Sequence, residues 1–165
     1  MTNLFAFCTR SLVFVTSVCA MTSFAIAATS SIPVPIYGSY IRHLDRSKQT
    51  FNGKPNLNSR PTTQKEEFFT ICKVTDCMAH TPNLYAPPGA PKYIDYHWNN
   101  NRWELKATHL FNCNDGSKVN STLFEFFTSN GDRSFSGQRE IKIDGKGCPE
   151  SGPGVYSIPF KLTPA

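Results

Sequence analysis

The sequence predicts an all-β domain, an antiparallel meander of about seven strands held by two disulfides. Three observations carry that expectation. Several segments alternate apolar and polar residues with a period of two, the repeat of a half-buried strand. Turn formers (Asn52-Gly53, Asn100-Asn101, Asn130-Gly131, Asp144-Gly145) separate them at hairpin spacing, and no stretch holds a helical period. Four cysteines, Cys72, Cys77, Cys113 and Cys148, follow an export-type leader, an even set where disulfides form.

The leader comes first in the chain. Arg10 is the only charged residue before Arg42, and the apolar run Leu12–Met21 ends in the small-residue stretch Ala25-Ile26-Ala27-Ala28. That order is a secretory signal peptide over residues 1–27. Its apolar core is shorter than the roughly 20 residues a membrane span needs. Two alternatives are retention as an uncleaved anchor and lipidation at Cys19, against which Val18 stands where a lipobox wants a small residue. Cleavage leaves about 137 residues, enough for one domain with a real core. The mature balance is +4, with 16 basic against 12 acidic residues once Arg10 is lost. The basic residues are scattered, so no nucleic-acid footprint is expected.

Residues 28–36 are a proline-containing extended lead-in, and residues 37–163 form the single β domain. A first strand covers Tyr37–Leu44. The polar stretch Asp45–Lys65 is expected to be loop, apart from a short strand near Thr50–Phe51. Glu67–Cys72 is a second clear strand. Residues 81–91 contain four prolines and a glycine and are expected to be loop.

The strongest hairpin signal follows. Ile94, Tyr96 and Trp98 share one face; Trp103, Leu105, Ala107, His109 and Phe111 share another. A two-residue turn at Asn100-Asn101 pairs Trp98 with Trp103, Tyr96 with Leu105 and Ile94 with Ala107 and puts the apolar residues on one side, whereas a three-residue turn mixes the faces. Val119–Thr128, Arg133–Ile143 and Tyr156–Leu162 complete the set. Gly137 is expected to mark a bend or bulge. Pro159 is expected to put the last strand at an edge or on a bulge, because proline cannot donate to a ladder. The strands close as a small calycin-like barrel or fold as a sandwich.

Four cysteines allow three pairings. The spacing favours a local clip, Cys72–Cys77, and a long staple, Cys113–Cys148, worth roughly 3–4 kcal/mol by loop entropy. A redox-active pair would have C-x-x-C spacing, which Cys72 and Cys77 lack. A zinc site drawn from Cys72, Cys77, His80 and His109 or Cys113 has loose spacing in an oxidising compartment. No metal or cofactor site is therefore expected.

The order Gly38-x-Tyr40, Phe69-Thr70-Ile71-Cys72-x4-Cys77, Asn101-Arg102-Trp103, Cys113-Asn114-Asp115-Gly116, Phe135-Ser136-Gly137 and Cys148 resembles a group of small secreted β-domain proteins of mycobacteria and related actinobacteria. The resemblance spans residues 37–163. It implies an exported or envelope-facing domain and carries no assigned activity. This chain is richer in Asn, Lys and Phe than that group, which favours Gly, Ala and Arg. Were the source eukaryotic, Asn120-Ser121-Thr122 would be a glycosylation acceptor.

Chemistry is sparse. There is no G-x-S-x-G, H-E-x-x-H or P-loop motif. His97 falls on a polar face and is expected at the surface. His109 is expected to be a hydrogen-bonded core or pocket histidine. Arg139 has inward parity unless Gly137 turns it out, and Glu125 is ambiguous in the same way. Trp98, Trp103, His109 and Arg139 are the candidate pocket residues. The expected function is a non-enzymatic domain binding a small apolar ligand or an envelope or host partner, because 13% aromatic content without a catalytic motif suits an apolar cleft. The alternative is a ribonuclease-like hydrolase using His109, Glu125 and Arg139.

Overall fold

A computed structural model describes residues 32–56, 60–74, 76–84, 86 and 88–165; the leader at 1–27 lies outside them. Among the described residues there are ten strands: β1 (Gly38–Leu44), β2 (Thr50–Phe51), β3 (Lys54–Pro55), β4 (Thr62–Cys72), β5 (Cys77–Pro82), β6 (Tyr93–Asn99), β7 (Arg102–Asn112), β8 (Lys118–Ser129), β9 (Phe135–Cys148) and β10 (Gly152–Pro164). β1 and β4–β10 pair antiparallel in succession, and β10 returns to β1. The fold is a closed eight-stranded barrel, not a sandwich. β2 and β3 form a small hairpin on β10.

The period-two pattern sets which residues fill the barrel. Tyr40, Phe68, Tyr96, Trp103, Phe127, Phe135, Phe160 and Leu162 point inward and are buried. Phe127 packs edge-on against Phe68, Tyr96 and Phe135, with centroids 5.1–6.1 Å apart. Each such side chain contributes roughly 1.5–3 kcal/mol by leaving water. The lead-in plugs this base. Ile36 is fully buried. Its amide donates to Thr70 Oγ1 at 3.0 Å, and that hydroxyl donates back to the Ile36 carbonyl at 2.9 Å.

The Asn100-Asn101 turn is as expected, but the β6–β7 ladder ends at His97–Glu104, short of the expected Tyr96–Leu105 and Ile94–Ala107 pairs. Trp98 pairs with Trp103, and both asparagines adopt left-handed backbone, with φ of 47° and 66°. Cys72–Cys77 and Cys113–Cys148 are the two disulfides. Cys72 and Cys77 are opposite residues of the β4–β5 ladder, so the clip ties a hairpin end.

Four local expectations are corrected. The Asp45–Lys65 segment also contains β3, and β4 begins at Thr62, where polar residues extend a ladder with β1. The 81–91 loop begins two residues late, since Thr81 and Pro82 complete β5. Gly137 makes no bulge: the ladder runs straight through it to Phe127 and Phe160. Glycine is required there for space, because a Cβ would lie 2.4 Å from the Phe126 carbonyl. Pro159 sits within an interior strand and opposite Gln138 without a bulge; the shift in β10 lies between Gly152 and Gly154. β1 ends opposite Phe160 and β2 begins opposite Ser157, so Pro159 falls in the gap between two partners. Its carbonyl accepts the Asp45 amide at 2.9 Å. The missing N–H therefore faces the gap and leaves the β9 ladder whole.

Candidate functional site

Above the aromatic base the barrel interior changes character. Arg42 lies between Tyr40 and Leu44 on the inner face of β1 and is 1% exposed. Its Nη1 donates to Glu125 Oε2 at 2.9 Å. Its Nη2 donates to Glu66 Oε2 at 2.9 Å and to the Tyr96 hydroxyl at 3.0 Å, and Nε lies 2.8 Å from Glu66 Oε1. The guanidinium stacks 4.5 Å from the Phe160 centroid. The Tyr96 hydroxyl donates to Glu125 Oε2 at 2.6 Å, and Arg139 Nε pairs with Glu125 Oε1. Two arginines and two glutamates thus form a neutral belt across the interior.

Burial alone would raise the Glu125 carboxyl, but Arg42, Arg139 and the Tyr96 hydroxyl outweigh it and hold the group below its ordinary value. Burial would likewise lower Arg42, yet its acidic and phenolic neighbours hold it well above. Burial is the main reason that Tyr96 is raised, with Arg42 opposing and Glu125 adding. At neutral pH Glu125 is thus ionised, Arg42 charged and the Tyr96 hydroxyl protonated.

Beyond the belt, the inner face of β7, β9 and β10 opens into a cup of about 540 Å³. Its apolar wall is Phe51, Phe111, Ile141, Tyr156 and Ile158. Phe111 stacks on Tyr156 at 5.4 Å and 17°, and Phe51 tilts against Tyr156 at 4.7 Å. Ile158 pairs with Arg139, so the cup floor adjoins the belt. The β2–β3 hairpin covers one side: the Asn52 amide donates to the Val155 carbonyl, and Asn52 Oδ1 accepts the Val155 amide, both at 2.9 Å. Phe51 lies over Gly154, where a Cβ would meet the ring at 2.4 Å. The polar lining includes Arg46, Gln49, Asn56, Asn114 and Glu150. Glu150 Oε1 accepts the Asn114 amide at 2.9 Å beside the Cys113–Cys148 bridge.

The four candidate pocket residues divide. Trp98 and Trp103 pack at 5.1 Å in the closed base, with the Trp103 indole donating to the Val34 carbonyl at 2.9 Å. They do not line the cup. Arg139 does point inward, and its side chain is 26% exposed at the belt. His109 is not a core residue: it is exposed, and it lines a second opening with Thr108, Leu110, Asn120, Ser121 and Asp144. His109 Nδ1 lies 2.9 Å from Ser121 Oγ. Partial burial, with the Arg139 charge, lowers its pKa.

The trio His109, Glu125 and Arg139 is therefore not a free catalytic set, because Glu125 spends both oxygens on Arg42, Arg139 and Tyr96. The candidate zinc ligands are also committed. The cysteine sulfurs are bridged, and His80 Nδ1 lies 2.7 Å from Asp95 on the outer surface. Cys113, Cys148 and Glu150 bring ligand atoms within 4.8 Å of one another, but two of those atoms are the disulfide sulfurs. His97 is at the surface. Arg42, Glu66, Arg46 and Phe51 had no sequence signal as site residues, except that Arg42 shares the period-two face of Tyr40 and Leu44.

The architecture has a solved counterpart. It is similar to the monomer form of the M. tuberculosis PknI sensor domain. The TM-score is 0.65 at 18% identity, over 82% of this chain and 90% of that one. At that identity, the PknI sensor domain shares the barrel fold and nothing finer. No family model and no curated protein matches the sequence. Among the described residues no helix is long and apolar enough to cross a membrane.

Proposed function

We propose that this chain is an exported, non-enzymatic β-barrel domain that binds a small, largely apolar ligand in the cup. The observation that carries this is a 540 Å³ opening on the barrel's inner face whose aromatic and aliphatic wall faces a polar side of Arg46, Gln49, Asn56, Asn114, Glu150 and Ser151. Ligand sites are commonly concave, apolar and of this size. The belt beneath is charge-neutral and hydrogen-bonded, which makes it a floor rather than a reaction centre. Two disulfides fit an oxidising compartment outside the cytoplasm. The neighbouring PknI domain is a sensor domain by description, which agrees with a binding role.

The test uses N-phenyl-1-naphthylamine, a neutral fluorescent probe, with the oxidised domain. Saturable one-to-one binding is expected, abolished by Ile141→Glu while the far-ultraviolet spectrum stays that of the folded barrel. Phe111→Ala should weaken binding without abolishing it. Absence of saturable binding, or equal binding by Ile141→Glu, overturns the reading.

A further inference from the structure

We infer that the ligand of the cup is an organic carboxylate, an apolar body bearing one acid group, and that Arg46 receives the acid. The inference rests on the ligand-binding reading above and adds the chemistry of the polar end.

Arg46 follows β1 in a three-residue 3-10 turn, Arg46–Lys48, and its side chain lines the cup beside Gln49. Its Nε is buried and has no hydrogen-bond partner among the described residues. Arg42 Nε also lacks a regular hydrogen bond, but it lies 2.8 Å from Glu66 Oε1 in an ion pair, and Arg139 is paired with Glu125. Arg46 as a whole is half-buried, and it forms no ion pair among the described residues, so its guanidinium brings an unbalanced positive charge to the cup lining that an anionic group of a ligand would balance. Glu150 also faces the cup, yet it accepts the Asn114 amide at the disulfide rim and forms no ion pair with Arg46.

The shape of the guanidinium selects the acceptor. A guanidinium presents its donors as a planar fork matched to a carboxylate. Behind it the wall is Phe51, Phe111, Ile141, Tyr156 and Ile158, which offers an apolar body no hydrogen bonds. A ligand that is apolar throughout would leave the guanidinium charge unbalanced; a multiply charged ligand would strand charge against the wall. One acid group on an apolar frame satisfies both ends.

Matched competitors test this. 2-Naphthoate and 2-naphthalenemethanol have the same ring body, and each is titrated against bound N-phenyl-1-naphthylamine. The expected result is that naphthoate displaces the probe about tenfold better than the alcohol, the factor of one charge-assisted hydrogen-bonded contact. In Arg46→Met that preference should fall to within about twofold while probe binding persists, and Arg46→Lys should keep part of it. If acid and alcohol compete equally on the unaltered domain, the carboxylate inference falls and the ligand-binding reading stands. If the preference survives Arg46→Met, Arg46 is not the acceptor site and the inference falls. If the probe itself does not bind, both fall.

Discussion

Arg42 and Glu125 lie 83 residues apart in the chain and 2.9 Å apart in the barrel, each with a side chain 1% exposed. The pair joins β1 to β8 across the interior, and Glu66, Tyr96 and Arg139 complete its shell. Removing one member leaves a buried charge with nothing to balance it. Glu125→Ala or Arg42→Ala should each cost about 3–5 kcal/mol. The double variant should cost less than the sum. Urea denaturation measures this, and single-variant losses under about 1 kcal/mol would show that the belt is solvated.

The belt also sets an acid limit. The Glu125 carboxyl is held below its ordinary value of 4.5. Its contribution is fully present above that pH and is lost as pH falls through the lower folded-state value. Tyr96 works in the opposite sense. Its hydroxyl is raised above the ordinary 10.0, so its contribution is present below pH 10 and is lost as pH rises beyond it. Melting temperature against pH should therefore fall on both sides. Tyr96→Phe should flatten the alkaline limb, and an unaltered alkaline limb would refute this assignment.

The Asn100-Asn101 turn tests the register of the central hairpin. Both residues have positive φ, a conformation costing a β-branched side chain about 1–3 kcal/mol. Replacing both with Val should lower stability clearly; replacing both with Gly should not. Thermal unfolding that cannot tell the two variants apart would contradict the turn geometry.

Two glycines make a contrasting pair. A Cβ at Gly137 would meet the Phe126 carbonyl at 2.4 Å and Phe127 Cβ at 2.8 Å, inside the core, where little can yield. Gly137→Ala should destabilise by about 1–3 kcal/mol. A Cβ at Gly154 would meet the Phe51 ring and the Asn52 side chain, which belong to the short β2–β3 hairpin. Gly154→Ala should move that hairpin and weaken probe binding while the melting temperature changes little. Equal effects of the two substitutions on stability would count against this distinction.

The disulfides should rank by loop length. Replacing Cys113 and Cys148 with Ser, which opens a sequence separation of 35, should cost about 3–4 kcal/mol. The same change at Cys72 and Cys77, separated by 5, should cost about 2 kcal/mol. Denaturant midpoints give the order directly.

The sequence revealed strands whose inner faces are apolar and hid those whose inner faces are not. β5 was hidden because its inward residues are Cys77, Ala79 and Thr81, while the larger Met78 and His80 face outward. The start of β4 was hidden because Thr62–Lys65 is polar. Alternation carried Glu125 and Arg139 to the inner face but left their state open, since nothing local neutralises them. Their partner Arg42 comes from another strand. The cup was hidden for a similar reason. Arg46, Gln49 and Phe51 sit in a stretch with the composition of a loop, and they reach the site only because β2 docks on β10.

The belt and the cup occupy different rows of the same strands. Ala107, Leu123, Ile141, Tyr156 and Phe51 follow one another across the ladders above the belt, and all but Phe51 lie on strands that also supply deeper core residues. Under the proposed binding role, the residues that would choose a ligand and the charges that hold β1 to β8 are thereby separated within a single small barrel. A change at Ile141 or Phe111 would reshape the cup without touching those charges.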